Sequence, residues 1–115
     1  MNVEQFRDYC LSLKAVEETF PFDEKTLVFK VEGKMFALLD VDNFKFANLK
    51  CDPDKSIELR EQYNGIKPGW HMSKKHWNST YKDSDVSDQL FIELIDHSYS
   101  LIITSLPIKV RENLF

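Results

Sequence analysis

Two apolar runs separated by Glu32-Gly33 constrain this chain more than any other feature. Thr26–Val31 is rich in β-branched and apolar residues, and Lys34–Val41 (KMFALLDV) is denser still. A two-residue connection with glycine where φ must be positive suits a β-hairpin. The density of the return run predicts a central strand covered on at least one face. Asp42-Asn43 predicts a second turn. Phe44–Leu49, with Phe44, Phe46 and Leu49 among polar residues, predicts a third strand.

A sheet of this kind needs a second layer, and three helices are predicted to supply it. Val3, Phe6, Cys10 and Leu13 recur in steps of three and four, which puts them on one helical face. Asn2 and Gln5 have the spacing of a capping box at its start. Asp52-Pro53-Asp54 opens a second helix with a capping aspartate, a first-turn proline and an acid near the positive end. It carries Ile57, Leu59 and Tyr63 and closes at Asn64-Gly65. The third and longest runs from Ser87 to about Ser105, with Leu90, Phe91, Leu94, Ile95, Leu101 and Ile102 as its stripe, and Pro107 ends it. Glu17–Lys25 is predicted as a loop, because Phe20 precedes Pro21 and is pushed toward extended geometry. Phe20 and Phe22 are expected to cover an edge of the core. Trp70–Met72 and Trp77–Tyr81 are predicted as two more strands joined by Ser73–His76, and Lys82–Asp85 as a polar connection. The order α-β(3)-α-β(2)-α defines an α+β domain, a two-layer sandwich of antiparallel sheet and helices over residues 1–115.

Length and cysteine usage narrow the class. A chain of 115 residues can bury one core without disulfides or metals. Cys10 and Cys51 lack CxxC spacing and are too few for a secreted disulfide framework. No apolar run approaches the roughly 20 residues of a membrane span. The polar MNVEQFRDYC start has no signal pattern. A soluble, monomeric cytoplasmic protein without a membrane role is expected.

Charge singles out one stretch. Gly65–Lys82 holds both tryptophans, His71, His76 and four lysines (Lys67, Lys74, Lys75 and Lys82) without an acidic residue. The whole chain is at −4, so the remainder carries −8. Any anion-binding surface is therefore local. His71 and His76 would point to opposite faces of a strand, and no cysteine or carboxylate cluster stands beside them for tetrahedral ligation. No metal and no cofactor is expected. Cys51 precedes a helix start and could pair with a histidine as a nucleophile. The chain nevertheless has no nucleophile elbow, phosphate loop or acid–base pair, so no enzymatic activity is expected. A basic aromatic hairpin with Lys74-Lys75 at its tip can contact phosphates while its rings stack on bases. The same lysines would also guard an exposed edge, and the aromatic hairpin would also suit a groove for a protein partner.

PGWHMSKKHWNS, from Pro68 to Ser79, resembles the PGYHMNKKHWN segment of the MmcQ/YjbR family of small bacterial proteins. Pro21-Phe22, Lys34-Met35-Phe36-Ala37, Leu49-Lys50-Cys51-Asp52-Pro53, Leu59-Arg60, Leu94-Ile95 and Ser98-Tyr99 extend the resemblance over nearly the whole chain. It departs at Trp70 (tyrosine in the family), Ser73 (asparagine) and Asp23 (often glycine). The resemblance implies a fold similar to secretion chaperones and DNA binding through a proposed double wing. The residues it and the charge pattern nominate are Lys67, Trp70, His71, Lys74, Lys75, His76, Trp77, Asn78 and Lys82. A chaperone-like protein-interaction module is the alternative.

Overall fold

The computed structural model describes residues 1–115. Its elements are α1 (Val3–Ser12), β1 (Val16–Thr19), β2 (Thr26–Val31), β3 (Lys34–Asp40), β4 (Phe46–Lys50), α2 (Pro53–Gln62), β5 (Ile66–Pro68), β6 (Trp77–Tyr81), α3 (Asp88–Ser105) and α4 (Ile108–Leu114). The strands form one antiparallel sheet in the order β1-β2-β3-β4-β6-β5. The α+β class and the antiparallel sheet match the sequence expectation. One strand and one short helix are added to it.

Local chemistry accounts for most of these boundaries. Glu32 and Gly33 both have positive φ, 50° and 76°. That is the type I′ geometry whose twist matches flanking strands. Asn2 accepts from the backbone N–H of Gln5 while Gln5 returns a bond to the Asn2 N–H, so the capping box is complete. Asp52 caps α2 through the Lys55 N–H, and Ser87 caps α3 through the Leu90 N–H.

Helices line one face of the sheet. Phe6 of α1 sits at the centre, with ring centroids 5.8 Å from Phe29, 5.7 Å from Phe44 and 6.0 Å from Phe91. Tilted and edge-on pairs of this kind favour a specific arrangement beyond simple burial. Cys10 is fully buried in the same core, and its thiol is pushed up in pKa by that burial. The β2–β3 register slips between Phe29 and Lys30, which pair with Ala37 and Met35, so Phe36 is the extra residue of a bulge. The bulge breaks the period of two and lets Phe36 and Ala37 both enter the core.

The same place ties α3 to the sheet. The β3–β4 ladder ends at Ala37 and Leu49. Beyond it, fully buried Ser98 accepts from the Lys50 N–H (2.9 Å) and donates to the Phe36 carbonyl (2.6 Å). One hydroxyl thus satisfies two backbone groups at the end of that ladder.

Four sequence expectations are corrected, and one helix is added. Val16–Thr19, overlapping the predicted loop, is an edge strand paired with β2, which alternation did not reveal because Glu17 and Glu18 are both exposed. Phe20 and Phe22 do not cover the core but stand 48% and 65% exposed. Ile57 is 54% exposed, because α2 buries Ser56 and Leu59 instead. Pro107 ends α3 but also serves as the N-cap of α4. Trp70–Met72 is no strand: β6 pairs with Ile66–Pro68, and the chain between them turns twice.

Replacing Ser98 with alanine leaves the Phe36 carbonyl and Lys50 N–H without this partner and is expected to cost about 2 kcal/mol, read from urea unfolding. A second expectation concerns pH. His97 Nε2 accepts from the Asp52 N–H at 3.1 Å, so the fold needs a neutral ring. Burial, reinforced by Lys55 and opposed by Asp52, lowers its pKa from 6.5. Unfolded His97 therefore protonates first as pH falls. Its contribution is complete above that value and is lost through the window below it. His97→Gln, which keeps an acceptor without a titration, is expected to flatten the stability change between neutral pH and about pH 5.5, just beneath the ordinary histidine value.

Candidate functional site

The face of the sheet opposite the helices carries the alternate side chains. Cross-strand pairs Val28–Leu38, Asn48–Ser79, Lys50–Trp77 and Phe46–Tyr81 point this way, as does Lys67 opposite Ser79. Val28, Leu38 and Trp77 form a small separate apolar cluster with Met35 and Met72 against it. No helix covers this face. The Gly69–His76 loop does, for part of its area.

A buried polar network holds the loop down. Ser79 Oγ donates to Asn48 Oδ1 at 2.6 Å and accepts from the Trp70 N–H at 2.9 Å. Asn48 Nδ2 donates to the Trp70 carbonyl at 3.0 Å. The peptide groups of Trp70 are thus bound as a strand residue's would be, but by side chains. The loop itself is two turns, closed by Met72 N–H to Gly69 O and Trp77 N–H to Ser73 O. His71 takes a left-handed φ of 58° inside the first, a conformation rare for a residue with a Cβ. At Gly69 a Cβ would lie 2.8 Å from Trp77 Cβ, so only glycine lets the chain pass this close. Arg60 of α2 grips the far side, donating to Asn78 Oδ1 (2.7 Å) and to the carbonyls of Trp77 and Lys74. Below the loop's entry, Asp85 accepts from the Asn64 and Gly65 N–H groups, which hold its carboxyl below the usual range.

The loop walls one side of a cleft of about 480 Å³. Trp70, His71 and Met72 line it together with Phe22, Phe46 and Leu38, and Asn48, Asp40, Asn43 and Lys45 supply its polar groups. Trp70 stands 61% exposed with the His71 ring edge-on at 4.6 Å. Phe46 and Tyr81 stack across β4 and β6 with centroids 5.0 Å apart.

The nine nominated residues are scattered by this geometry. Lys67, Trp70, His71, Lys75 and His76 are exposed. Lys74 is exposed too, but its ammonium donates back to the Gly69 carbonyl, so the lysine pair is not the free tip of a hairpin. Trp77 is buried under Met72. Asn78 faces the helix layer, bound to Arg60, and Lys82 lies over the Phe44 ring at 5.2 Å, toward the core. Phe22, Lys45, Phe46, Asn48, Lys50 and Tyr81 were not nominated and belong to this face. The signal for the strand residues among them was the alternation of β4, which becomes readable only once its register with β6 is known. Cys51 is buried, its backbone N–H bonded to the His76 carbonyl, and burial raises its thiol pKa. The cleft includes His71 but neither His76 nor Cys51.

A two-layer α+β fold with one sheet face closed by helices and the other partly capped by a Pro-Gly-Trp-His loop defines a recognisable class of small protein. The profile of the YjbR family matches residues 11–101, and the chain belongs to that family. It is 40% identical over 104 residues to the uncharacterized Escherichia coli O157:H7 protein YbdF, covering 90% of this chain and 85% of that protein. It is 30% identical over 113 residues to the uncharacterized protein YjbR of Escherichia coli K12, covering 97% and 96%. Among solved structures, the Deinococcus radiodurans protein DR2400 superposes with a TM-score of 0.93 at 38% identity, over 98% of this chain and 87% of that one. A Pseudomonas syringae protein gives 0.75 at 27% identity, over 88% and 98%.

Asn48→Ala removes the side-chain donor to the Trp70 carbonyl and leaves the buried Ser79 hydroxyl without its acceptor. It is expected to destabilise the protein by about 1–3 kcal/mol. Faster hydrogen exchange at the Trp70 and Met72 amides, with β2–β3 protection retained, would mark the loss as local.

Proposed function

We propose that this chain binds DNA through the face of the sheet that the helices leave open. The observation that carries the reading is the juxtaposition on that face of accessible rings and cations. Phe46 and Tyr81 stack across two strands and Trp70 stands exposed beside them, while Lys50, Lys67 and Lys45 occupy neighbouring strand and turn positions. Aromatic side chains offer bases a stacking surface and lysines neutralise phosphates, the two needs of a nucleic-acid platform. Lys75, exposed on the loop, extends the basic side. With a chain at −4 overall, the affinity rests on this local patch.

The role is one of binding without catalysis. Cys51, the one nucleophile that sequence placed near a helix start, is buried and its thiol is held protonated by that burial. A second reading, docking of a polypeptide segment, draws support from exposed Phe20, Phe22 and Trp70.

Labelled oligonucleotides titrated at several salt concentrations test the proposal. With about four phosphates neutralised, log affinity should fall against log salt with a slope of about −3.6 on duplex or −2.8 on a single strand. Joint Lys50→Glu and Lys67→Glu substitution, at solvated strand positions, is expected to weaken binding at least about tenfold, since each close like charge opposes the phosphates. Unchanged affinity in that variant would remove the open face from the account.

A further inference from the structure

We infer that the cleft beside the Gly69–His76 loop receives a single unpaired base of single-stranded DNA. The inference rests on the open-face reading above and adds to it a strand preference and a pocket.

Three properties of the cleft converge on that occupant. The first is its walls. Trp70 and Phe22 are 61% and 65% exposed although both line a cavity, and Phe46 continues the aromatic lining to Tyr81. Large rings left bare around a concavity mark a site for something flat and apolar on its faces. At about 480 Å³ the cleft falls within the size range of small-ligand pockets.

The second is its polar floor. A base edge presents donors and acceptors side by side, and the lining offers both. Asn48 Nδ2 spends one N–H on the Trp70 carbonyl, and its second has no partner within the protein. Asp40 accepts the Asp42 and Asn43 N–H groups through Oδ1 alone, which leaves Oδ2 as an acceptor. Asn43 brings a further amide. An aliphatic side chain of a peptide would leave these groups unsatisfied, whereas a base would pair with them.

The third is charge. Lys45 is the one cation among the lining residues, and Asp40 stands against it, with Asp42 close by in sequence. A continuous phosphate track would be repelled here. One base can enter while its backbone stays at the rim, within reach of Lys45, and continues toward Lys50 and Lys67. A base within a duplex is paired and stacked and cannot make this entry. The loop lies bound to the sheet through Asn48 and Ser79, so it is not a free wing to insert into a groove.

The two tryptophans make the experiment direct, because Trp70 is exposed and Trp77 is buried at 8% exposure. The full chain would be titrated with a short single-stranded oligonucleotide, its blunt duplex, the same duplex with one bulged base, and a free nucleoside monophosphate. Fluorescence anisotropy of the DNA and quenching of protein tryptophan would both be followed. The single strand is expected to bind at least about tenfold more tightly than the blunt duplex, in line with the worth of one stacked base. The bulged base should restore most of the difference, and quenching should vanish in Trp70→Phe apart from the Trp77 background. Trp70→Ala and Phe22→Ala, both at solvent-exposed positions, should each weaken the single-strand complex severalfold and by more than they weaken the duplex complex. Equal affinity for single strand and duplex overturns the base pocket while leaving DNA binding by the open face intact. Absence of binding to every DNA form overturns both readings. Saturation by the free monophosphate as tightly as by the oligonucleotide overturns the assignment to a DNA strand.

Discussion

Asn48 and Ser79 are a polar pair buried in the middle of a sheet, and the form of the open face follows from how they are satisfied. A buried amide and hydroxyl facing each other across two strands cannot be left without partners. They bond to each other and then to both peptide groups of Trp70. That arrangement pins the Gly69–His76 loop onto the sheet, seats Met72 on the Val28–Leu38–Trp77 cluster, and leaves the Trp70 ring standing in solvent. Because each bond uses backbone on the loop side, the latch specifies where residue 70 sits without specifying its side chain.

The two faces of the sheet are held by different physics. On the helix side, interlocked phenylalanines exclude water, and two side chains there tie down backbone groups: Ser98 closes the end of the β3–β4 ladder and His97 receives the Asp52 N–H. Stability on that side comes from apolar area and packing. On the open side a thin apolar cluster and a hydrogen-bonded loop suffice, and half of the cleft lining is polar. Arg60 joins the two sides by reaching from α2 to three acceptors on the loop and on β6. A protein built this way can keep one rigid layer and expose another for contact.

Much of the fold was legible in the chain because it rests on local rules. Glu32-Gly33 announced its hairpin, Asn2 and Gln5 their capping box, and Asp52-Pro53 and Ser87 the starts of α2 and α3. The elements that were missed are those with no local rule to announce them. Val16–Thr19 has two exposed glutamates and becomes a strand only because the β2 edge is there to pair with. Ile108–Leu114 packs Val110 and Leu114 against a core whose position no window of sequence reports. The site was half legible. The charge anomaly and the Pro-Gly-Trp-His-Met run drew attention to the loop that walls the cleft. They could not show that Lys74 folds back on Gly69, that Trp77 and Asn78 lie under cover, or that Phe22 arrives from a distant turn.

By itself the sequence determined the antiparallel hairpin, the helix starts, the α+β class and the family, since turn chemistry, capping and hydrophobic period act over a few residues. Only the tertiary structure decided which side of each strand meets water. One bulge at Phe36 and the pairing of Ile66–Pro68 rather than Trp70–Met72 with β6 set those faces. Side-chain direction alternates with every residue, so a shift of one in register moves a ring from core to solvent. Trp70 in the open and Trp77 beneath the loop are the outcome of that choice.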